Sequence, residues 1–225
     1  MECPPVPVKG PPARTGGPGG RKGSHAGEPS YHPAMTTTRP ASVPFTGDPA
    51  ADALLASDPL ALLIGFVLDQ QVTVQKAFAG PAELRRRLGT LDAAALAAMD
   101  PDTFTAAFTA RPALHRFPGA MAARVQELCT VIARDHGGDA SRVWTGAGNG
   151  VDLERRLRAL PGIGEMKART LVGLLARRFD VRPPGWEAVA PDHPTLADVD
   201  SAEALAAYQE QKRAWKASQK ATARA

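Results

Sequence analysis

Cysteine is nearly absent: the 225-residue chain has two, Cys3 and Cys129. Two thiols exclude a disulfide framework and also a four-cysteine zinc or iron–sulfur site. Cys129 lies in a helical stretch and reads as a small buried hydrophobe. Long apolar runs are missing too. None approaches the roughly 20 residues a membrane helix needs, and no secretory signal is visible. The expected setting is therefore cytoplasmic, with no membrane partner. There is also no strand-length alternation of apolar and polar residues, and no internal repeat. These absences leave an all-α chain, long enough for one sizeable core.

A dominant charge is lacking as well. The net charge is +4, but residues 1–44 hold five basic and two acidic residues, and the rest of the chain 22 and 21. Global charge therefore says little about a polyanionic partner. Locally, residues 151–182 carry eight basic and four acidic groups, a better indicator of where nucleic acid would be held.

Residues 1–44 are rich in Pro, Gly, Ser and Thr with almost no aliphatic content. They cannot bury enough apolar area to offset ordering and are expected to be a disordered tail. Met35 within it is an alternative initiator to Met1, which the intact mass of the natural protein would decide. A helical domain is expected over 45–220, with 221–225 frayed. In it, Asp52–Ala56 reads as a short helix. Ser57-Asp58-Pro59 then starts an almost wholly apolar one, PLALLIGFVLDQQ, with a cap and a proline at the first helical position. Asp69, Gln70 and Gln71 close this rod, either as a solvated last turn or as polar groups facing a cleft.

Further helices are expected from Gly80-Pro81 to Gly89, with Arg85, Arg86 and Arg87 as a solvated face, and over 92–99, 101–110 and 118–136. Loops are expected over 139–150 and 181–200. Ser201 should cap a last helix bearing Leu205, Tyr208, Lys212 and Trp215 on one face and Lys216 and Lys220 at its basic end.

The most informative stretch is VDLERRLRALPGIGEMKARTLVGLLARRF, residues 151–179. Leu153, Leu157 and Leu160 form one apolar stripe, and Pro161 ends that helix. Gly162 and Gly164 flank Ile163 in a tight turn. A second helix follows, with Leu171, Val172, Leu175 and Phe179 on its buried side. Its first-turn amides lack intrahelical acceptors and sit at the positive end of the helix dipole, which suits a phosphate. An αα-hairpin with a glycine-rich turn and no ligand is the alternative.

The string Leu160-Pro161-Gly162-Ile163-Gly164-x-x-x-Ala168 resembles the helix-hairpin-helix of DNA repair glycosylases, the endonuclease III or HhH-GPD superfamily. Gln70-Gln71 at the end of an apolar helix resembles the superfamily's Gln-Gln pair, with Asp69 where Ser is usual. The resemblance spans roughly residues 54–180. It implies a two-lobed all-α fold that binds double-stranded DNA as a monomer in the nucleoid, in base excision repair. The hairpin amides would hold a phosphate without reading sequence, helped by Lys167 and Arg169. A metal ion bridging carbonyls of Leu160 and Gly162 to phosphate is a further option. A Gln of the pair would enter the duplex where a nucleotide is extruded. No cofactor is implied, because the iron–sulfur cluster of many relatives has no ligands here.

The superfamily's Schiff-base lysine falls on Met166, and Lys167 should project about a hundred degrees away around the helix, which points to base removal without strand cleavage. The superfamily's catalytic Asp follows a Gly/Pro-rich loop after the hairpin. That loop is present as Arg182-Pro183-Pro184-Gly185, but the expected carboxylate is not. Glu187, Asp192 and, from the Gln-Gln helix, Asp69 are the candidate acids. Each has the alternative of an ordinary surface acid, in which case the chain would be a non-catalytic DNA-binding or lesion-sensing protein.

Overall fold

The computed structural model describes residues 39–222, with side chains up to Ala214, and everything below concerns these residues. Most of the expected tail and terminus, and the side chains of Trp215, Lys216 and Lys220, lie outside them. Every regular element in this range is helical.

Three Asp-Pro pairs place the first helix starts. Asp48, Asp58 and Asp100 each cap a helix whose first residue is proline: α1 (Pro49–Ser57), α2 (Pro59–Leu68) and α5 (Pro101–Thr109). Each carboxylate accepts an orphan N–H of the first turn, and proline has none to lose, so each cap contributes about 1 kcal/mol. Asp58 takes the amides of Leu60 and Ala61 at 2.9 and 3.2 Å, and the chain bends by 113° between α1 and α2.

Helix α2 is the centre of the core. Every residue from Leu60 to Leu68 is buried, and α1, α3 (Val74–Leu88) and α6 (Pro118–His136) pack around it. A Cβ on Gly65 would stand 2.5 Å from the Phe78 ring, so α2 and α3 approach at a position only glycine permits. Val43, within the stretch expected to be tail, is buried, and its amide donates to Asp52 O.

Two expectations for α3 are corrected. Its start is Val74, with Thr73 as cap, and Pro81 sits inside it. Proline in a helix interior costs about 3 kcal/mol. Here Val74, Ala77, Phe78, Pro81 and Leu84 form one buried stripe, and burying such side chains returns roughly 1.5–3 kcal/mol each. Tertiary packing therefore outweighs the local break. Nor is Arg87 solvated. Its side chain is 8 % exposed, pairs with Glu83, and donates to the carbonyls of Ala107, Ala110 and Pro112. It thus ties α3 to the C-terminal end of α5.

The remaining elements are α4 (Ala93–Ala98), α7 (Arg142–Thr145), α8 (Gly150–Arg158), α9 (Glu165–Arg178), α10 (Trp186–Val189), a 3-10 turn Leu196–Asp198, and α11 (Ala202–Thr222). The stretches expected to be wholly irregular thus hold short turns of helix: α7, which buries Trp144, and α10 with the 3-10 turn. Ser201 caps α11 as expected, and Leu205 is buried. Cys129 is also buried, and desolvation pushes its thiol up to about 12, so it is an inert core residue.

Candidate nucleic-acid interface

Helices α8 and α9 form the hairpin. Asn149 caps α8 by accepting the Asp152 amide at 2.8 Å, and Leu153 and Leu157 are fully buried. The chain leaves α8 at Ala159 and reverses through Leu160, Pro161 and Gly162, where Gly162 has φ +81°. Ile163 turns its side chain into the core, and its N–H is spent on Leu160 O at 3.2 Å. Ile163 therefore secures the turn and offers no amide outward. By contrast, the amides of Gly162, Gly164 and the first turn of α9 find no acceptor among the described residues, and α9 has no side-chain cap.

The two glycines are needed for different reasons. A Cβ on Gly162 would stand 2.8 Å from Arg124 Cδ and 3.1 Å from Val67 Cγ1, on top of the positive φ. A Cβ on Gly164 would meet nothing within 4 Å. Gly162 is therefore a packing requirement, whereas Gly164 keeps an approach to the amides open.

Lys167 and Arg169 do not extend outward as free cations. The Lys167 ammonium reaches back to the C-terminal end of α2, donating to Phe66 O at 2.6 Å and to Val67 O and Gly162 O at 3.4 Å. Arg169 donates to Val189 O at 2.9 Å, which secures α10. Both carbonyls suggested for a metal ion have contacts within the chain. The Gly162 carbonyl already faces an ammonium, and the Leu160 carbonyl accepts the Ile163 amide.

Burial pushes Lys167 down to about 8, partly opposed by the nearby Asp69 carboxylate and reinforced by Arg124. Between about 8 and 10.5 the unfolded chain holds the extra proton, so this lysine makes stability rise with pH across that window. Urea unfolding of wild type should therefore gain on the order of 2–3 kcal/mol relative to Lys167→Met between about pH 7.5 and pH 10.5. An unchanged difference would mean that Lys167 titrates as in water.

The local positive excess is largely paired within the chain. Arg155 and Arg156 hold Asp152, Arg158 lies near Glu154 and Glu165, Arg177 holds Asp198, and Arg182 lies near Asp180. Besides Arg158 and Lys167 of the hairpin, a cation from another helix faces the turn. Arg124 of α6 and Gln70 share with residues 162–167 a cleft of about 700 Å3.

The Gln-Gln pair is split. Helix α2 ends at Leu68, so Asp69, Gln70 and Gln71 follow it instead of forming its last turn. Gln70 is half-buried; its Nε2 donates to Val67 O at 2.9 Å and its Oε1 lies 3.4 Å from Arg124. Gln71 is exposed and held at φ +56°, a left-handed conformation uncommon for a non-glycine residue. His115, almost fully buried, donates from Nε2 to Gln70 O at 2.7 Å and accepts the Phe117 amide on Nδ1 at 3.0 Å. Those two partners select one neutral tautomer, with the proton on Nε2. Phe117 is 44 % exposed, with the Arg116 guanidinium 5.3 Å above its ring.

The three candidate acids separate clearly. Glu187 is exposed on α10, and the preceding Pro184–Trp186 lies against Gly150, at the end of α8 remote from the turn. Asp192 is fully exposed and pairs with His193 at 3.3 Å, which lowers its carboxyl pKa. Neither lines the cleft, and Asp69 is not among its lining residues either. Asp69 is half-buried, precedes Gln70 directly, and is close enough to Lys167 to stabilise its charge. Sequence reading did not single out Arg124, His115 or Phe117. They lie 45 or more positions from Gln70 along the chain, and only packing brings them to it. No family model matches this chain, and a search of curated proteins finds no match.

Proposed function

We propose that this chain is a base excision repair protein of the HhH-GPD kind, with that superfamily's two-lobed helical fold. In this reading it binds double-stranded DNA as a monomer, without a cofactor, in the cytoplasm at the nucleoid. It removes a damaged or mispaired base as a monofunctional N-glycosylase. One observation carries the reading: the acceptor-free amides of Gly162 and Gly164 lie in one cleft with Gln70 and Arg124.

The amides hold a backbone phosphate, which positions the duplex without reading it. Gln71, exposed and poised at positive φ, enters the space left by the extruded nucleotide, and Phe117 supplies an apolar wedge beside it. As the glycosidic bond breaks, the base leaves with the bonding electron pair and positive charge develops on the sugar. The Asp69 carboxylate stabilises that charge and takes a proton from the water that adds to the anomeric carbon. Met166 carries no amine, and the Lys167 amine is held by Phe66 O, so the sugar–phosphate chain is left uncut.

The absence of Asp69, Glu187 and Asp192 from the cleft lining favours a second reading, a lesion-binding protein without catalysis. Duplex binding that falls steeply with salt is expected under both, because phosphate contacts release counterions. Salt-insensitive or absent binding would leave the hairpin a structural element only. An excision assay over a panel of damaged and mispaired bases separates the two: release of any base supports the glycosylase, and release of none gives the binding reading.

A further inference from the structure

We infer that Arg124 is a phosphate-binding residue of the cleft, and that its guanidinium passes from the Gln70 side-chain carbonyl to a DNA phosphate held at the Gly162–Gly164 turn. This rests on the duplex-binding reading and adds to it a contact from α6, outside the hairpin.

Three observations converge on Arg124. Its stem lies along the turn, with Cδ 2.8 Å from where a Gly162 Cβ would stand. Its charge has no carboxylate within 4.0 Å among the described residues, in contrast to the paired arginines of the hairpin. Its polar contact with Gln70 Oε1 is 3.4 Å, well beyond the roughly 2.7–2.9 Å of a strong charge-assisted bond. Most of its five donors are therefore free to meet an anion.

The surroundings also favour one. Arg124 and Lys167 are close enough for the first to disfavour the charge of the second. The acid lining the cleft, Glu165, is 4.0 Å from Arg158 and 61 % exposed. An anion placed between the two cations and the open amides relieves their repulsion. A phosphate fits because a planar guanidinium meets two of its oxygens at once.

A consequence follows for Gln70. Its Nε2 stays on Val67 O, but its Oε1 is released when Arg124 turns to the phosphate. Gripping the backbone thereby frees the amide next to Gln71 from α6. Backbone binding and the residues that face the extruded nucleotide are coupled through one side chain.

The test compares full-length wild type, Arg124→Met, Arg124→Lys and Gly164→Leu on a short undamaged duplex across a salt series. Arg124→Met keeps the stem that packs on Gly162. It is expected to bind about 5–20-fold more weakly and to flatten the log K against log salt slope by about 0.9, the loss of one phosphate contact. Arg124→Lys is expected to keep the slope and recover much of the affinity, an outcome that lost packing would not produce. The Lys167 midpoint, followed by NMR, should rise in free Arg124→Met. If Arg124→Met leaves the slope unchanged while Gly164→Leu abolishes binding, the Arg124 assignment is wrong and the hairpin reading stands. If wild type shows no salt-dependent binding, both are wrong.

Discussion

Gly164→Leu is expected to weaken duplex binding at least ten-fold while leaving folding stability within about 0.5 kcal/mol of wild type. The backbone there has φ −81°, which any residue adopts, and an added Cβ meets nothing within 4 Å. The fold has no objection to leucine at this position. A phosphate at the turn does, because the side chain would stand between its oxygens and the unpaired amides of Gly164 and the first turn of α9. Charge-assisted bonds of this type contribute about 1.5–3 kcal/mol each, and losing one or two gives the stated range. Gly162→Ala is the counter-case. Positive φ costs an L-residue about 1–2 kcal/mol, and the new methyl collides with Arg124 and Val67. That variant loses stability first and binding only as a consequence. Titration of a labelled duplex, with urea unfolding in parallel, distinguishes the two glycines. A Gly164→Leu protein that binds like wild type would show that the ligand does not sit at this turn.

Asp69→Asn is expected to reduce base release by about 10²–10⁴-fold, the range over which a positioned acid or base contributes. Duplex affinity should be unchanged or somewhat tighter, since a negative charge beside phosphates has been removed. The substitution is close to isosteric, at a helix C-terminal position with φ −72° and ψ 68°, so the fold should tolerate it. It also removes the carboxylate that supports the Lys167 ammonium, and the Lys167 midpoint should drop further below its value of about 8. Glu187→Gln and Asp192→Asn serve as controls and should retain wild-type rates, because both side chains are exposed, whereas Asp69 is half-buried beside the cleft residue Lys167. Single-turnover excision with saturating protein reads the chemical step directly. Full activity in Asp69→Asn, or its loss in Glu187→Gln, would transfer the role elsewhere.

Much of the architecture was legible because it is written in local chemistry. The Asp-Pro pairs at 58–59 and 100–101 mark helix starts, and Gly89 and Gly137 end helices in the left-handed conformation, whereas Asp48-Pro49 starts α1 ahead of the expected Asp52–Ala56. The 3.6-residue periodicity of α8 and α9 showed which faces are buried. Where local chemistry and packing disagreed, the local reading failed. Pro81 looked like a helix start and lies in a helix interior, because one apolar stripe runs continuously from Val74 to Leu84. The triple arginine looked solvated, yet Arg87 is drawn in by three carbonyls that no local pattern reveals.

The amino-acid sequence alone determined that the chain is helical, where its hairpin turns, and which two glycines stand at that turn. Such features depend on backbone preferences and spacing within a dozen residues. Only the tertiary structure decided what faces the turn. It brought Arg124 and Gln70 to the glycines, set Asp69 near Lys167, withdrew Lys167 and Arg169 onto backbone carbonyls, and kept all three candidate acids out of the cleft lining. The reason is physical: a side chain's charge and length are encoded at its own position, but its partners are chosen by the packing of helices far apart along the chain.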